Sequence, residues 1–225
     1  MNSMLEYLFD LSQNNTKEWY QSNKNRRLKA IAEFEHLIAE LIEAISIFDN
    51  SVAFNDPKVL TFKQVRDTRF SHNKSPYNPA FRAHIASAGK QPIPVGYFLS
   101  IRPDNRSFLG GGLYTPMFKD ATTMVRDYIV SHGEELEAII TNKAFARQFA
   151  VEGEVLKNVP KGYDPLHPQA EYLKNKSWYL EYFITDEQIS DRSSFVKTAA
   201  QVFKAMKPFN DFLNQALKDF KMPGR

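Results

Sequence analysis

One alternating segment near the middle of the chain constrains the fold more than any other feature. Between residues 95 and 102, positions 95, 97, 99 and 101 are all apolar or aromatic, which is the period of a β-strand with one buried face. Turn-forming residues follow at 103–105, and a second apolar segment begins at Ser107. Because proline, aspartate and asparagine favour tight reversals of the chain, this order predicts a β-hairpin.

Both ends of the chain carry helical periodicity instead. Apolar residues spaced by three and four predict a short opening helix around residues 5–9, a long helix from about 16 to about 46, and a C-terminal helix over 191–220 that is kinked at Pro208. Helices at both ends, strands between them and no regular β-α-β alternation predict an α+β fold. We therefore expect residues 1–225 to form a single compact domain with a largely antiparallel sheet and a central hairpin.

Three further elements are expected between the ends of the chain. β-branched and aromatic residues predict a strand over 59–65 that runs into an irregular, proline-containing loop. Pro116 is expected to open a helix that Gly133 ends. The aromatic and apolar segment 177–184 predicts a buried strand.

The composition narrows the classes of function. The chain has no cysteine, which excludes disulfides, thiol nucleophiles, iron–sulfur clusters and thiolate zinc sites. No apolar run reaches the roughly 18 residues that cross a bilayer, and the N-terminal segment lacks a signal-peptide pattern. We expect a cytoplasmic protein without a membrane partner. The sequence contains no motif for a metal or a nucleotide cofactor.

Positive charge is concentrated in one segment. Residues 58–106 contain nine Lys and Arg against two acids, whereas 1–57 contain five against nine and 107–225 contain fifteen of each. Such an excess raises the local potential and attracts anionic partners. The alternative is a solvated basic surface that binds nothing.

Loop 66–77, within this basic segment, has the composition of an anion site. Arg66 and Arg69 carry planar guanidinium donors that match a carboxylate or phosphate, and Lys74 adds a point charge. The alternative is a structural network in which nearby acids neutralise the arginines. Tyr77, at the end of the loop, is a candidate catalytic residue.

A run of three glycines, residues 110–112, follows the second strand of the predicted hairpin. The main-chain N–H groups of Gly111 and Gly112 are candidates for anion binding, since glycine lets the backbone approach a ligand closely. Tyr114 is a candidate to orient that ligand. The run matches neither the P-loop nor the dinucleotide-binding pattern, and a tight bend or bulge explains it as well.

A third polar loop spans residues 160–168. Lys161 is a candidate anion ligand, and Asp164 and His167 are candidate acid–base residues because a carboxyl and an imidazole lie close together in the sequence. Two side chains do not complete a metal shell, so no metal site is predicted.

Taken together, these motifs resemble the family built on the domain of unknown function 2461. The likeness covers about residues 5–183 and rests on segments 15–19, 66–71, 74–77, 111–114 and 160–168, with Pro116 and Arg126. Several motifs in one order make it far more specific than any single motif. The resemblance implies a single compact domain, and it adds Arg126 to the predicted anion ligands. It implies no activity.

The function predicted from the sequence is binding of a phosphate- or carboxylate-bearing small molecule in a basic cleft that the three loops surround. Whether a reaction follows, and the oligomeric state, stay open. One alternative is a protein-interaction module without chemistry. Another is a nucleic-acid binder that stacks bases on aromatic residues of the basic segment. The candidate stacking residues are Phe62, Phe70, Tyr77, Phe81 and Tyr97.

Overall fold

Antiparallel strands in chain order form the centre of the computed structural model, which describes residues 3–114 and 118–223. The strands are β1 (Phe81–Ile85), β2 (Tyr97–Ile101), β3 (Ser107–Leu113) and β4 (Trp178–Ile184), each paired with the next. The predicted hairpin is confirmed as β2–β3. Asp104 and Asn105 take positive φ angles in its turn, which these residue types tolerate better than most. The strand predicted over 177–184 is β4.

Helices occupy both ends of the chain and the long connection between β3 and β4. They are α1 (Ser3–Gln13), α2 (Lys17–Ser22), α3 (Lys24–Ser46), α4 (Pro57–Leu60), α5 (Lys119–Ser131), α6 (Gly133–Ile140), α7 (Lys143–Ala146), α8 (Ala170–Leu173), α9 (Asp186–Ser190) and α10 (Arg192–Ala216). Together with the antiparallel sheet they form one α+β domain, as predicted. Within the described ranges, no helix combines the length and the hydropathy that crossing a membrane requires.

The helix predicted over 16–46 is divided in the structure. The Thr16 hydroxyl accepts the Trp19 amide at 3.2 Å and caps α2, which satisfies a donor that a helix start leaves free. Asn23 separates α2 from α3, and its side-chain amide donates to the Trp19 carbonyl at 3.0 Å. Such a side chain to backbone bond competes with continuation of the helix.

The strand predicted over 59–65 is wrong. Pro57 opens the short helix α4, and the Asp56 carboxylate caps it by accepting the Lys58 amide. Residues 61 and 65 form isolated bridges to Ala83 and Tyr77. β1 lies instead in the stretch that was expected to be irregular, although its residues 81, 83 and 85 have the two-residue apolar period of a strand.

The helices predicted around Pro116, Gly133 and Pro208 have the following outcomes in the structure. Gly133 does not end a helix, because α5 already stops at Ser131 and Gly133 is the first residue of α6. The expectation for Pro116 lies outside the described residues. α10 continues through Pro208.

One face of the sheet is buried beneath helices. Leu99, Leu109 and Leu180 on successive strands are fully buried, and α10 packs against both β3 and α3. The large apolar residues that α10 buries are Phe195, Phe203, Met206, Phe209, Phe212 and Leu213. The side chains on the opposite face of the sheet, here called the open face, border a cavity.

Candidate functional site: a cleft on the open face of the sheet

The side chains on the open face form two neighbouring rows across the strands. In one row, Arg82 of β1 lies opposite Ser100 of β2, which lies opposite Phe108 of β3. Phe183 of β4 lies opposite Phe108 and completes this row, but it does not line the cavity described below. The other row crosses all four strands and consists of His84, Phe98, Gly110 and Glu181. Because successive side chains of a strand alternate between its faces, both rows point away from the helical core.

These rows form the floor of a cavity of about 850 Å³, a volume typical of small-molecule sites. Its rim includes residues from the β1–β2 connection, from the chain just before α5 and from the C-terminal segment. We call this cavity the sheet cleft. Its basic and aromatic lining includes Arg82, Lys90, Arg102, Phe98, Phe108 and Tyr179.

Arg82, Ser100 and Arg102 form a cationic corner of the sheet cleft. The Nε atoms of both arginines and the Ser100 hydroxyl are buried without a hydrogen-bond partner among the described residues. Burial and the charge of Arg102 lower the pKa of Arg82, which indicates that the two guanidinium groups repel each other. Within residues 3–114 and 118–223 neither arginine forms a salt bridge. Arg82 does donate from Nη2 to the Lys63 carbonyl at 3.4 Å. The two Nε atoms and the Ser100 hydroxyl nevertheless depart from the rule that buried polar atoms have partners.

The second row contains two side chains whose pKa values are shifted, His84 and Glu181. Burial and Glu152 raise the pKa of Glu181, while Arg102 lowers it. Burial lowers the pKa of His84 to about 4, although hydrogen bonding to the backbone at 90 and 91 acts the other way. The His84 ring is therefore neutral at pH 7 and adds no charge. The charged side chains that line the cleft are Arg82, Lys90, Arg102 and Glu181.

The buried imidazole of His84 makes stability depend on pH. The unfolded chain takes up a proton near the ordinary pKa of 6.5, whereas the folded protein does so only near 4. As pH falls between these values, the unfolded state binds more protons and stability is lost. We expect the wild type to lose roughly 2 kcal/mol more than His84→Gln between pH 7 and pH 4.5. Urea unfolding at both pH values measures this, and equal losses would contradict the assignment.

Loop 66–77 is held by its own backbone. Arg66 donates to the Ser75 carbonyl at 3.0 Å and to the Ser71 hydroxyl at 3.3 Å. Lys74 donates to the Thr68 carbonyl at 3.0 Å. Neither cation lines the sheet cleft. Both therefore stabilise the loop that carries them, because a loop leaves carbonyl groups that side-chain donors can satisfy.

The remaining predicted residues of this loop also bond within the protein. Arg69 pairs with the Asp67 carboxylate on the surface, at 2.6 Å for the closest atoms, and this pairing lowers the pKa of Asp67. It is the neutralised network that was the alternative to an anion site. Tyr77 is buried, stacks on Tyr20 with ring centroids 3.7 Å apart, and exchanges two backbone hydrogen bonds with the Asn15 side chain. Its surroundings are those of a core residue.

The glycines belong to the sheet rather than to a phosphate-binding turn. Gly111 lies inside β3, whose backbone pairs with strands on both sides. The Gly112 amide donates to the Asn210 side-chain oxygen at 2.7 Å, so it is not free for an anion. Tyr114 stands at the rim of the sheet cleft, 72% exposed, with its ring edge-on to Tyr179 at 5.3 Å. Both glycines and Tyr114 line the cleft.

Arg126, the residue that the family resemblance added, is buried between elements. Its Nε and Nη2 donate to the carbonyls of Leu173 and Asn175, both at 2.8 Å. These carbonyls lie at the C-terminal end of α8, where a helix leaves acceptors unsatisfied. Arg126 therefore links α5 to the chain that enters β4.

Loop 160–168 forms its own hydrogen bonds away from the sheet cleft. Asp164 accepts the Leu166 amide at 2.8 Å, and the His167 Nε2 lies 3.3 Å from the Val130 carbonyl. Lys161 is exposed. The three residues do not line the sheet cleft, and neither do the predicted residues of loop 66–77. No three His, Cys, Asp or Glu side chains of the described chain cluster closely enough to hold a metal ion.

The cationic corner is what sequence reasoning missed. Arg82 and Arg102 belong to the basic segment but lie outside the charged loop 66–77, and so they are not among the predicted anion ligands. The sequence does contain a signal for it: residues 82 and 84 on β1 and residues 98 and 100 on β2 occupy the alternate positions that face away from a core, and Arg102 continues this alternation just after β2.

The fold and the site define an α+β protein whose antiparallel sheet is covered by helices on one face and borders a cleft lined by arginines and aromatic residues on the other. The chain belongs to the conserved hypothetical protein family DUF2461, whose profile it matches over residues 3–212. This match confirms the resemblance of the motifs and extends it through most of α10. Comparisons with curated proteins and with solved structures found no match.

Proposed function

We propose that this protein binds a small molecule through a phosphate or carboxylate group in the sheet cleft. The observation that carries the proposal is the cationic corner, where the Nε atoms of Arg82 and Arg102 and the Ser100 hydroxyl are buried without partners among the described residues. An anion at this point accepts hydrogen bonds from both arginines, and its charge relieves the repulsion between them. Charge-assisted bonds of this kind are among the strongest in proteins.

The strands hold these donors in a defined geometry. Arg82 lies directly opposite Ser100 in the β1–β2 pair, and Arg102 directly follows Ile101, the last residue of β2. Sites built on strands are more precise than sites built on loops, because the ladder hydrogen bonds restrain the backbone. This supports a preformed site whose arginines need little reorganisation to bind a ligand.

Most of the aromatic residues that the nucleic-acid alternative needs for base stacking are buried. Tyr77, Phe81 and Tyr97 are all less than 10% exposed, so their faces are not available to a base. Phe70 is almost fully exposed at a loop tip, and Phe62 lines the sheet cleft. The concave cleft therefore favours a small molecule over a single strand of nucleic acid.

A titration of ¹⁵N-labelled protein with inorganic phosphate tests the proposal. We expect saturable shifts of the Ser100 and Arg102 amide signals. Arg82→Met and Arg102→Met are each expected to weaken binding at least about tenfold, because each removes a charged donor but keeps an apolar stem. The amide spectrum also verifies that each variant is folded.

Arg106→Met is the matched control. Arg106 lies in the turn between β2 and β3 and pairs with Asp104 on the surface. It is expected to leave phosphate binding unchanged. Shifts confined to loops 66–77 or 160–168, or an equal loss in all three variants, would place the anion elsewhere or reduce its binding to general surface charge. The absence of saturable shifts at Ser100 and Arg102 would also refute the proposal.

A further inference from the structure

An aromatic strip adjoins the cationic corner of the sheet cleft. The rings of Phe98 and Phe108, on adjacent strands, have centroids 5.8 Å apart and planes inclined by 29°. Phe62 adjoins Phe98 at 6.2 Å, and the Arg82 guanidinium lies over Phe62 at 5.5 Å. We call these three phenylalanines the aromatic strip. It begins directly beside the donors that are proposed to hold the anion.

Glycines next to the aromatic strip leave space in the cleft because they have no side chain. Gly96, Gly110 and Gly112 line the cleft through their backbone. A Cβ atom on Gly110 would lie 3.4 Å from the Cβ of Phe98 and 3.6 Å from the ring of Phe108. A single added methyl group would therefore fill the space that lies against the strip.

Resting on the proposed function, we infer that the ligand of the sheet cleft carries a flat aromatic ring beside its anionic group. The anion lies between Arg82 and Arg102, and the ring packs on the aromatic strip above Gly110. Aromatic rings gain from offset stacking beyond the apolar area that they bury. A flexible alkyl chain gains that area but no stacking, so the site distinguishes the two.

The charge of the cleft argues against an apolar protein segment as the occupant. Such a segment would cover Arg82 and Arg102 with neutral groups only, and burying a charge without a counter-charge is costly. An aromatic anion satisfies both halves of the cleft in one molecule. This complementarity of charge and ring surface carries the inference.

The test compares three probes by isothermal titration calorimetry: inorganic phosphate, n-hexyl phosphate and 1-naphthyl phosphate. We expect 1-naphthyl phosphate to bind at least about tenfold more tightly than inorganic phosphate and more tightly than n-hexyl phosphate. Phe98→Leu and Phe108→Leu are expected to remove most of the advantage of the naphthyl compound while inorganic phosphate binding stays unchanged. Gly110→Ala is expected to act in the same direction by crowding the floor.

Phe183→Leu is the matched control. Phe183 neighbours Phe108 at 6.2 Å but is 64% exposed and does not line the cleft, so this variant should bind all three probes as the wild type does. If inorganic phosphate binds at the corner but the naphthyl group adds nothing, or adds no more than the hexyl chain, the ring inference is wrong and the proposed function stands. If none of the probes binds, or if Arg82→Met and Arg102→Met bind the naphthyl compound unchanged, both proposals fail.

Discussion

Gly112→Ala is expected to lower the free energy of unfolding by about 4 kcal/mol. Gly112 has a φ of +87°, a conformation in which a side chain strains the backbone. A Cβ atom there would also lie 2.4 Å from the Trp178 carbonyl oxygen and 2.9 Å from the Tyr179 Cα. Both atoms belong to the backbone of β4, which cannot move away without loss of its hydrogen bonds to β3. Urea unfolding at pH 7 measures the change.

Gly110→Ala on the same strand is the matched control. Gly110 is not among the glycines with positive φ, and its nearest contacts to an added Cβ are at 3.4 Å. We expect its stability to change by less than about 1 kcal/mol, because strand backbone accepts alanine without strain. Similar losses in both variants would mean that β3 tolerates no side chain at all, which contradicts a specific role for the Gly112 backbone.

Asn210→Leu is expected to cost about 3 kcal/mol, because it leaves two backbone groups without a partner. The Asn210 side chain accepts the Gly112 amide at 2.7 Å and donates to the Gly96 carbonyl at 3.0 Å. It is itself 3% exposed, so water does not replace the lost bonds. The residue thereby attaches α10 to β3 and to the residue that directly precedes β2. Thermal or urea unfolding of the variant measures the loss.

Asn214, one turn after Asn210 in α10, provides the control for this prediction. Asn214 bonds the Val95 amide at 2.8 Å and the Val95 carbonyl at 3.0 Å, but it is only partly buried. Water can reach these groups, so Asn214→Leu is expected to cost about 1 kcal/mol. A cost for Asn214→Leu equal to or larger than that for Asn210→Leu would show that burial is not what sets the loss.

Local patterns were sufficient where one segment decides its own structure. The alternation before the turn at 103–105 predicted the hairpin correctly, and the apolar stripe of residues 31–45 predicted α3. Patterns failed where short-range capping competes with propensity. Val59 and its neighbours have strand propensity, yet Asp56 and Pro57 start a helix there. Strand β1, which the sequence did not predict, has only five residues, and so short a period-two pattern is a weak signal.

The candidate site was harder to predict than the fold. Arg66, Arg69 and Lys74 are close together in the sequence and chemically suited to an anion, but each finds an acceptor within its own loop. Arg82 and Arg102 are distant in the sequence, and the β1–β2 register places Arg82 opposite Ser100, two residues before Arg102. The sequence of a loop shows which charged side chains it carries. Only the packed structure shows which of their donor atoms are buried without a hydrogen-bond acceptor.

The sequence by itself determined the α+β class, the hairpin and the terminal helices, because the periods of strands and helices are properties of the local backbone and appear directly in the order of apolar residues. The tertiary structure alone decided which donors stay without acceptors. An arginine bonds to whatever carbonyl or carboxylate the packed chain brings within reach, and that depends on strand register and helix placement rather than on its neighbours in sequence. For this reason the cationic corner emerged on the open face of the sheet and not in the loops.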